Sequence, residues 1–152
     1  MERYYPLVVG VIGALAIGLF VYTYKTPPLP PGWVRAEIAG VSLRLELATT
    51  TEAQERGLGG RTALASDYGM LFVFSRDGLY GFWMKDTLVP LDIIWLDSQG
   101  RVLSMAQSVA TSTYPNVFYP AAPARYVLET NAGFAAANEV ATGTPLSLQK
   151  SY

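Results

Sequence analysis

The sequence predicts a mainly β protein: a small antiparallel β-barrel with one or two short helices, preceded by a single transmembrane helix. Three observations lead to this fold class. Short apolar or alternating runs recur along the chain, and turn signals separate them about every 8 to 12 residues. A long uncharged run comes before the first of them. With 152 residues, the chain has room for one compact domain and one further segment.

The further segment is an uncharged run from Tyr4 to Tyr24, long enough to cross a hydrocarbon core of about 30 Å as a helix. Tyrosines near both ends suit the membrane interface. Bulky residues at the exit make a poor cleavage site, so an uncleaved anchor over residues 1–25 is favoured over a signal peptide. The charges at Arg3 and Lys25 do not decide its orientation. The usual layout of such anchors predicts a single-pass protein with a cytoplasmic N-terminus and an extracytoplasmic (periplasmic) C-terminal domain.

A proline-rich linker over residues 26–32 follows, and its prolines predict a stiff, extended spacer. The β-barrel domain then covers residues 33–152. It opens with a hairpin, in which residues 34–38 and 41–47 form two strands around the turn Ala39-Gly40. The second strand alternates apolar and polar side chains, which indicates a half-buried antiparallel strand.

A short helix is predicted next, over residues 51–56, because Thr51 and Gln54 match a capping box and Gly57 can end the helix. Met70 to Phe74 has no polar residue and predicts a strand buried on both faces. Residues 75–78 then carry a turn signal.

Five further strands follow this turn. The next is predicted over residues 79–84, and 91–96 is nearly all apolar and predicts another. A turn at 97–100 leads into a strand at 101–107. After a loop come a strand at 125–129, a short helix capped by Thr130 or Asn131 that extends to about residue 138, and an edge strand at 145–149.

Composition excludes several functional classes. The net charge of −1 leaves no basic stripe for nucleic acid. The chain has neither His nor Cys, which removes the Ser-His-Asp triad, the Cys-His pair, ordinary zinc sites, most haem ligation and any disulfide. Chemistry would therefore depend on carboxylates, Lys, Arg, Tyr and hydroxyls. We expect no metal, no cofactor and no catalytic residue, although the sequence leaves the question of enzymatic activity open.

Four motifs, in order along the chain, resemble a known family. These are ERGLGGRTAL, GMLFVF, FWMKDTLVPLDIIWLD and ARYVLETNAG. They are similar to the domain of unknown function 192 family of bacterial and archaeal proteins, over about residues 38–148. The resemblance implies a small β-rich domain, often behind a signal sequence or anchor, and no established activity. Two positions depart from the family pattern: Gly59 stands where a Met is usual, and Asp86 where an Asn is usual.

The polar cluster Lys85, Asp86 and Asp92 lies between apolar strands, where water can satisfy few polar groups. A buried Asp92 needs partners, because an unpaired buried charge costs several kcal/mol. Its carboxylate would accept hydrogen bonds from backbone amides or form an ion pair with Arg61, or it would bind a ligand. Arg61 follows two glycines, so its guanidinium forms an internal ion pair or recognises an anion at a barrel mouth.

The remaining candidates are aromatic or acidic. Trp83 fills the core or lines a pocket. The Glu129 carboxylate is stabilised by the dipole at the N-terminus of the following helix, or it pairs with Asp92 as a hydrolytic acid and base. Tyr114 and Tyr119 lie in a proline-rich loop, where they pack locally or contact a partner or a sugar ring.

These observations lead to one principal functional hypothesis and two alternatives. The principal one is a non-catalytic, membrane-tethered accessory module, acting at the extracytoplasmic face as a stabilising subunit of a membrane protein assembly. Its partners would be membrane lipid and other subunits, which contact the transmembrane helix and the domain surface. The first alternative is a domain that binds an anionic or sugar-like small molecule; the second is a carboxylate-dependent hydrolase. The candidate ligand- or partner-binding residues are Arg61, Trp83, Lys85, Asp86, Asp92, Tyr114, Tyr119 and Glu129.

Overall fold

The computed structural model describes residues 28–149. The predicted anchor over residues 1–25 lies outside these residues, as does the beginning of the predicted linker. Within residues 28–149, no helix is both long and apolar enough to span a membrane. A compact unit that contains the whole sheet begins at Pro31.

Within residues 28–149, seven strands form one sheet, in the order β5-β4-β6-β3-β2-β1-β7. The elements are β1 (Trp33–Ile38), β2 (Val41–Ala48), α1 (Thr51–Arg56), β3 (Tyr68–Gly78), β4 (Leu91–Leu96), β5 (Val102–Val109), a 3-10 helix (Thr111–Thr113), β6 (Ala124–Asn131), α2 (Phe134–Ala137) and β7 (Leu146–Gln149).

The sheet curls into a half-barrel. Its edge strands are β5 and β7, and the chain next to them meets at a single bridge between Arg101 and Pro145. Beside this bridge, the Val102 amide donates to the Thr144 carbonyl at 3.0 Å. The structure thus confirms a mainly β fold with two short helices. In the described part of the chain, the two sheet edges are joined only at this end.

The prediction that all strands are antiparallel is wrong at one place, because β2 and β3 are parallel. Residues 49–67, which include α1, carry the chain back to the end of the sheet where β2 begins, so β3 runs in the same direction as β2. A bidentate ion pair holds the start of this pairing: Nε and one terminal nitrogen of Arg44 each lie 2.7 Å from a carboxylate oxygen of Asp67. In the ladder, Arg44 is opposite Tyr68.

The first hairpin and α1 agree with the sequence prediction. The turn residues Ala39 and Gly40 have φ values of 51° and 76°, which suits a two-residue hairpin turn. Helix α1 has the predicted bounds, but its N-cap is Thr50 rather than Thr51, since the Thr50 hydroxyl accepts from the Ala53 amide at 3.2 Å.

The region after residue 74 differs from the prediction. Strand β3 continues through residues 75–78, where the sequence predicts a turn, although its pairing with β6 is irregular after Val73. The predicted strand 79–84 is instead an irregular segment, with one bridge between Phe82 and Phe118. Because aromatic residues hold this segment by side-chain packing, its apolar composition does not require a ladder.

Side chains of the sheet pack into two apolar clusters. Leu71, Ile94 and Leu128 belong to one, while Phe72, Trp95 and Val127 belong to the other. Since successive side chains of a strand point to opposite faces, each cluster covers one face of the sheet. We call the face that carries Phe72, Trp95 and Val127 the aromatic face.

Candidate functional site

The most unusual polar group of the described chain is the carboxyl group of Glu129. It lies on β6, opposite Met70 of β3 and Ile93 of β4, and projects from the aromatic face, as Val127 does. The residue is 4% exposed, and its Oε2 atom is buried with no hydrogen-bond partner among residues 28–149. Burial raises the pKa of Glu129 from 4.5 to about 8. At neutral pH the group is therefore mainly a neutral carboxylic acid.

Glu129 lines a cavity of about 240 Å³ on this face. Three parts of the chain form the rest of the wall: the C-terminal end of α1, the middle of β3, and the segment 80–87. Five of the lining residues are aromatic, and three others carry charged side chains at the exposed rim. The aromatic lining residues are Phe72, Phe74, Tyr80, Phe82 and Trp83, and the charged rim residues are Glu55, Arg56 and Lys85.

Aromatic contacts hold the segment 80–87 against the sheet. The Tyr80 ring stacks on Phe74 at 3.6 Å between centroids, and its backbone carbonyl accepts from the Trp95 indole at 2.9 Å. Phe82 packs edge-to-face against Phe72 at 4.7 Å and against Trp95 at 6.2 Å. These contacts place Trp83 and Lys85 at the cavity without a regular strand.

Helix α1 closes the opposite side of the cavity. The Gln54 amide nitrogen donates to the carbonyls of Ala48, at 3.2 Å, and Val73, at 2.9 Å, so it fastens the helix to β2 and β3. The helix ends at Gly57, which has φ +50°. A Cβ atom at Gly57 would lie 3.4 Å from the Phe72 ring and 3.8 Å from Oε2 of Glu129. The space would accept a Cβ, so glycine is favoured here by its positive φ rather than by a close approach to the buried acid.

Asp92 belongs to the other face of the sheet. It is fully buried, and its oxygens accept from the backbone amides of Ser108 at 2.7 Å, Gly133 at 3.1 Å and Ala135 at 2.7 Å. The carboxylate thus satisfies the amides at the start of α2. The predicted caps of this helix, Thr130 and Asn131, do not serve as caps, because β6 continues through both.

Asp92 and Glu129 project from opposite faces of the sheet, since Asp92 alternates with Ile93 and faces the same side as Ile94. The two carboxylates cannot flank one glycosidic or ester bond, as a hydrolytic pair must. The hydrolase hypothesis built on these two residues is therefore wrong. Among the described residues, no group of three acidic side chains could hold a metal ion.

Arg61 lies outside the cavity and pairs with Glu46 at 2.5 Å, so its partner is not Asp92. The Tyr68 hydroxyl donates to the same Glu46 oxygen at 2.7 Å, and the guanidinium lies 5.2 Å from the Tyr68 ring centroid. Burial, followed by the hydrogen bond to Glu46, raises the pKa of Tyr68. These three side chains form a compact polar network beside the β2–β3 pairing.

The other candidates lie at or beyond the rim. Asp86 has φ +55°, and its carbonyl accepts from the Gly60 amide at 2.9 Å; it is a turn residue, which suits an Asp or an Asn. Tyr114 packs edge-to-face against Trp83 at 6.3 Å. Tyr119 is 64% exposed, next to Gly81, where a Cβ atom would lie 2.7 Å from its ring.

The structure thus brings together Trp83, Lys85 and Glu129 and leaves Arg61, Asp86 and Asp92 elsewhere. Sequence reasoning missed Gly57, Phe72 and the charged end of α1. Phe72 could have been identified from the sequence, because it lies two residues after Met70 on β3 and therefore points to the same face. No sequence pattern shows that α1 folds over that face.

Comparison with known proteins gives a family and a fold. The profile of the family DUF192, described as "Uncharacterized ACR", matches residues 34–148. No curated protein matches this chain. A solved structure from Sinorhizobium meliloti 1021, described as a "putative transcription regulator", is 28% identical, with a TM-score of 0.73, covering 80% of this chain and 98% of that one. A protein of unknown function from Novosphingobium aromaticivorans DSM 12444 is 31% identical, also with a TM-score of 0.73, covering 81% and 93%.

Proposed function

This chain belongs to the DUF192 family, and we propose that its domain is a binding module that takes a small organic molecule in the cavity beside Glu129. The ligand would place its polar group on the Glu129 carboxyl and its apolar body against the surrounding aromatic rings. This is the small-molecule hypothesis of the sequence analysis, with Trp83, Lys85 and Glu129 kept from its residues and Arg61, Asp86 and Asp92 left out.

The observation that carries the proposal is the buried Oε2 of Glu129 without a hydrogen-bond partner in the described chain. A buried polar group that lacks a partner costs about 1–3 kcal/mol, and nearly all buried side-chain polar atoms in proteins have one. An apolar residue at this position of β6 would avoid that cost. A carboxyl group that opens onto a cavity is explained if a ligand supplies the missing partner.

The cavity itself supports a ligand of limited size. Drug-sized molecules occupy pockets of about 300–1,000 Å³. A cavity of about 240 Å³ therefore suits one ring with short substituents. Aromatic walls with a small number of polar groups are typical of such pockets, because the rings supply contact area and the polar groups fix orientation.

The experiment is a titration followed by amide NMR at pH 7. Three one-ring probes are added separately: glucose, benzoate and benzyltrimethylammonium chloride. We expect at least one probe to shift the amide signals of Gly57, Gly81 and Lys85 in a saturable way. The same probe should bind Glu129→Gln at least several-fold more weakly, because a side-chain amide presents a different hydrogen-bond pattern from a carboxyl group.

The matched control is Glu37→Gln, which removes an exposed carboxylate on β1, far along the chain from every cavity-lining residue. This variant should bind like the unmodified protein. If none of the three probes shifts the cavity amides at millimolar concentration, or if Glu37→Gln and Glu129→Gln behave alike, the proposal is wrong.

A second candidate function is the tethered accessory module of the sequence analysis. It is supported by the uncharged run Tyr4–Tyr24 and by exposed apolar side chains near the cavity, with Leu79 60%, Trp83 51% and Tyr119 64% exposed. Extraction of native membranes with mild detergent, followed by native mass spectrometry, tests it. A solitary monomer in every mild detergent would contradict the accessory role, and recovery from the aqueous fraction would contradict the tether.

A further inference from the structure

We propose that the ligand of the Glu129 cavity is a small organic cation, an amine or quaternary ammonium compound, whose positive charge pairs with the Glu129 carboxylate among the aromatic rings. This inference rests on the proposed function and adds the chemical class of the ligand. It assigns to Glu129 the role of counter-ion, and to Trp83 and Phe82 that of the surrounding wall.

Oε2 of Glu129 lacks a hydrogen-bond partner in the described chain, and a cation suits this position best. A neutral ligand would supply one hydrogen bond, and an anion would be held only while the acid keeps its proton. A cation gains a charge-assisted interaction with the ionised Glu129 carboxylate, and that interaction is stronger than at the surface because the carboxylate is buried. Of the three classes of ligand, a cation therefore gains the most binding free energy from a carboxyl group at this position.

The aromatic composition of the cavity wall also favours a cation. Aromatic faces attract cations through their quadrupole, and tryptophan does so most strongly. Phe74 and Tyr80 stack on each other, which occupies one face of each ring. Phe72, Phe82 and Trp83 line the same cavity as Glu129. Aromatic rings around a carboxylate form the type of site that recognises quaternary ammonium groups.

Other charged and titratable groups line this cavity or lie on the strands beside it. On the helix side are Glu55 and Arg56, whose charges offset one another; Lys85 and Tyr80 belong to the segment 80–87. On the neighbouring strands, Tyr68 interacts with the charge of Glu129 and is hydrogen-bonded to Glu46, which is paired with Arg61. On β6 itself, Arg125 is paired with Asp77.

The positive charge of the lysine at the rim repels a cationic ligand only weakly. Lys85 is exposed, so salt at 0.1 M screens its field over about 10 Å. The Glu129 carboxyl is buried and is screened much less. The buried charge therefore decides the sign of the preferred ligand, and Lys85 reduces the affinity modestly.

Binding of a cation is linked to loss of a proton. Burial gives Glu129 a pKa of about 8, so the free protein holds this proton at pH 6 and has lost half of it at pH 8. A permanently charged ligand binds the ionised form, and its apparent dissociation constant should fall by roughly 50-fold from pH 6 to pH 8 and then level off. A ligand that accepts a hydrogen bond from the neutral acid would show the opposite trend.

The test uses benzyltrimethylammonium chloride and its uncharged isostere neopentylbenzene, with benzoate as the anion, in NMR titrations from pH 6 to pH 9. We expect the cation to bind at least tenfold more tightly than the isostere at pH 8, with the stated rise in affinity. In Glu129→Gln that rise should disappear. The matched control is Glu55→Gln, which removes an exposed carboxylate from the same rim and should keep the pH dependence.

Failure of this inference is distinguishable from failure of the proposed function. If benzoate, glucose or the isostere binds in the cavity as tightly as the cation, or if the cation's affinity is flat or falls with pH, the ligand class is wrong while a small-molecule site remains. If no probe perturbs the cavity amides at any pH, both proposals are wrong. Lys85→Gln provides a further check, because it should strengthen cation binding by no more than a few-fold.

Discussion

Replacing Glu129 with Gln should make the protein more stable, and the gain should depend on pH. The change keeps the shape of the side chain but removes its ability to ionise. In the unfolded chain the carboxyl group has a pKa of about 4.5, whereas in the folded protein burial raises the pKa to about 8. Its contribution to stability is therefore fully present below pH 4.5 and is lost as pH rises toward the folded-state pKa.

The magnitude follows from these two pKa values. Each pKa unit corresponds to about 1.4 kcal/mol, so unmodified protein should lose about 3 to 5 kcal/mol of unfolding free energy from this group between pH 4.5 and pH 8. The amide of the Glu129→Gln variant does not ionise, so the variant loses nothing from this position. We expect the two proteins to differ by less than about 1 kcal/mol at pH 4, and the variant to be more stable by about 3 to 5 kcal/mol at pH 8.

The assay is urea unfolding of both proteins at unit pH intervals from 4 to 9, followed by tryptophan fluorescence. Because every other titrating group is common to both proteins, the difference between the two curves isolates Glu129. A constant difference across this range would refute the reasoning, since it would mean that water or a partner compensates the ionised carboxylate. Glu37→Gln, at an exposed position, is the matched control for the loss of one carboxyl group.

Three further experiments test other parts of the structure. Asp92→Asn should lower the unfolding free energy by about 2 to 4 kcal/mol, because one carboxylate serves three backbone amides; a loss below about 0.5 kcal/mol in urea unfolding would contradict this. A double-mutant cycle of Arg61→Ala and Glu46→Gln should give a coupling of no more than about 1 kcal/mol, since both side chains are partly exposed, and cavity binding should be unchanged in a probe titration. Trp83→Ala should change the unfolding free energy by less than about 1 kcal/mol, because the side chain is half exposed, yet it should weaken binding of benzyltrimethylammonium several-fold. Binding as tight as in the unmodified protein would show that Trp83 is not part of the site.

Local patterns were sufficient to predict most of the sheet. The alternation in residues 41–47 and the apolar run at 91–96 correspond to β2 and β4. In each segment the order of apolar and polar residues is enough to indicate whether one or both faces of the strand are buried. The helix at 51–56 was predicted with the right bounds because Gly57 ends it, although its N-cap is Thr50 rather than the predicted Thr51. Edge strand β7 was also placed correctly.

What could not be predicted depends on contacts between distant segments. The parallel pairing of β2 with β3 is fixed by the crossover and by an ion pair between Arg44 and Asp67, which no local period reveals. The irregular conformation of residues 79–84 results from rings on β3, β4 and the 111–123 loop. Apolar composition alone could not distinguish it from a strand.

The candidate site was predictable in part. Trp83, Lys85 and Glu129 were identified as candidates, but their association was not, because they come from two segments far apart in the chain. Asp92 and Glu129 looked alike in the sequence, since both are acidic residues beside apolar strands. Only the sheet geometry shows that, within the described residues, Asp92 has three donors while Oε2 of Glu129 has none.

The two walls of the cavity differ in how they are attached, and this difference has a consequence for kinetics. The Gln54 side chain bonds to two separate strands, so helix α1 cannot swing away without breaking both links. Residues 79–84 have one backbone bridge, at Phe82. Local opening of the cavity wall should therefore begin there, and hydrogen exchange of the Phe82 amide would report how often it opens.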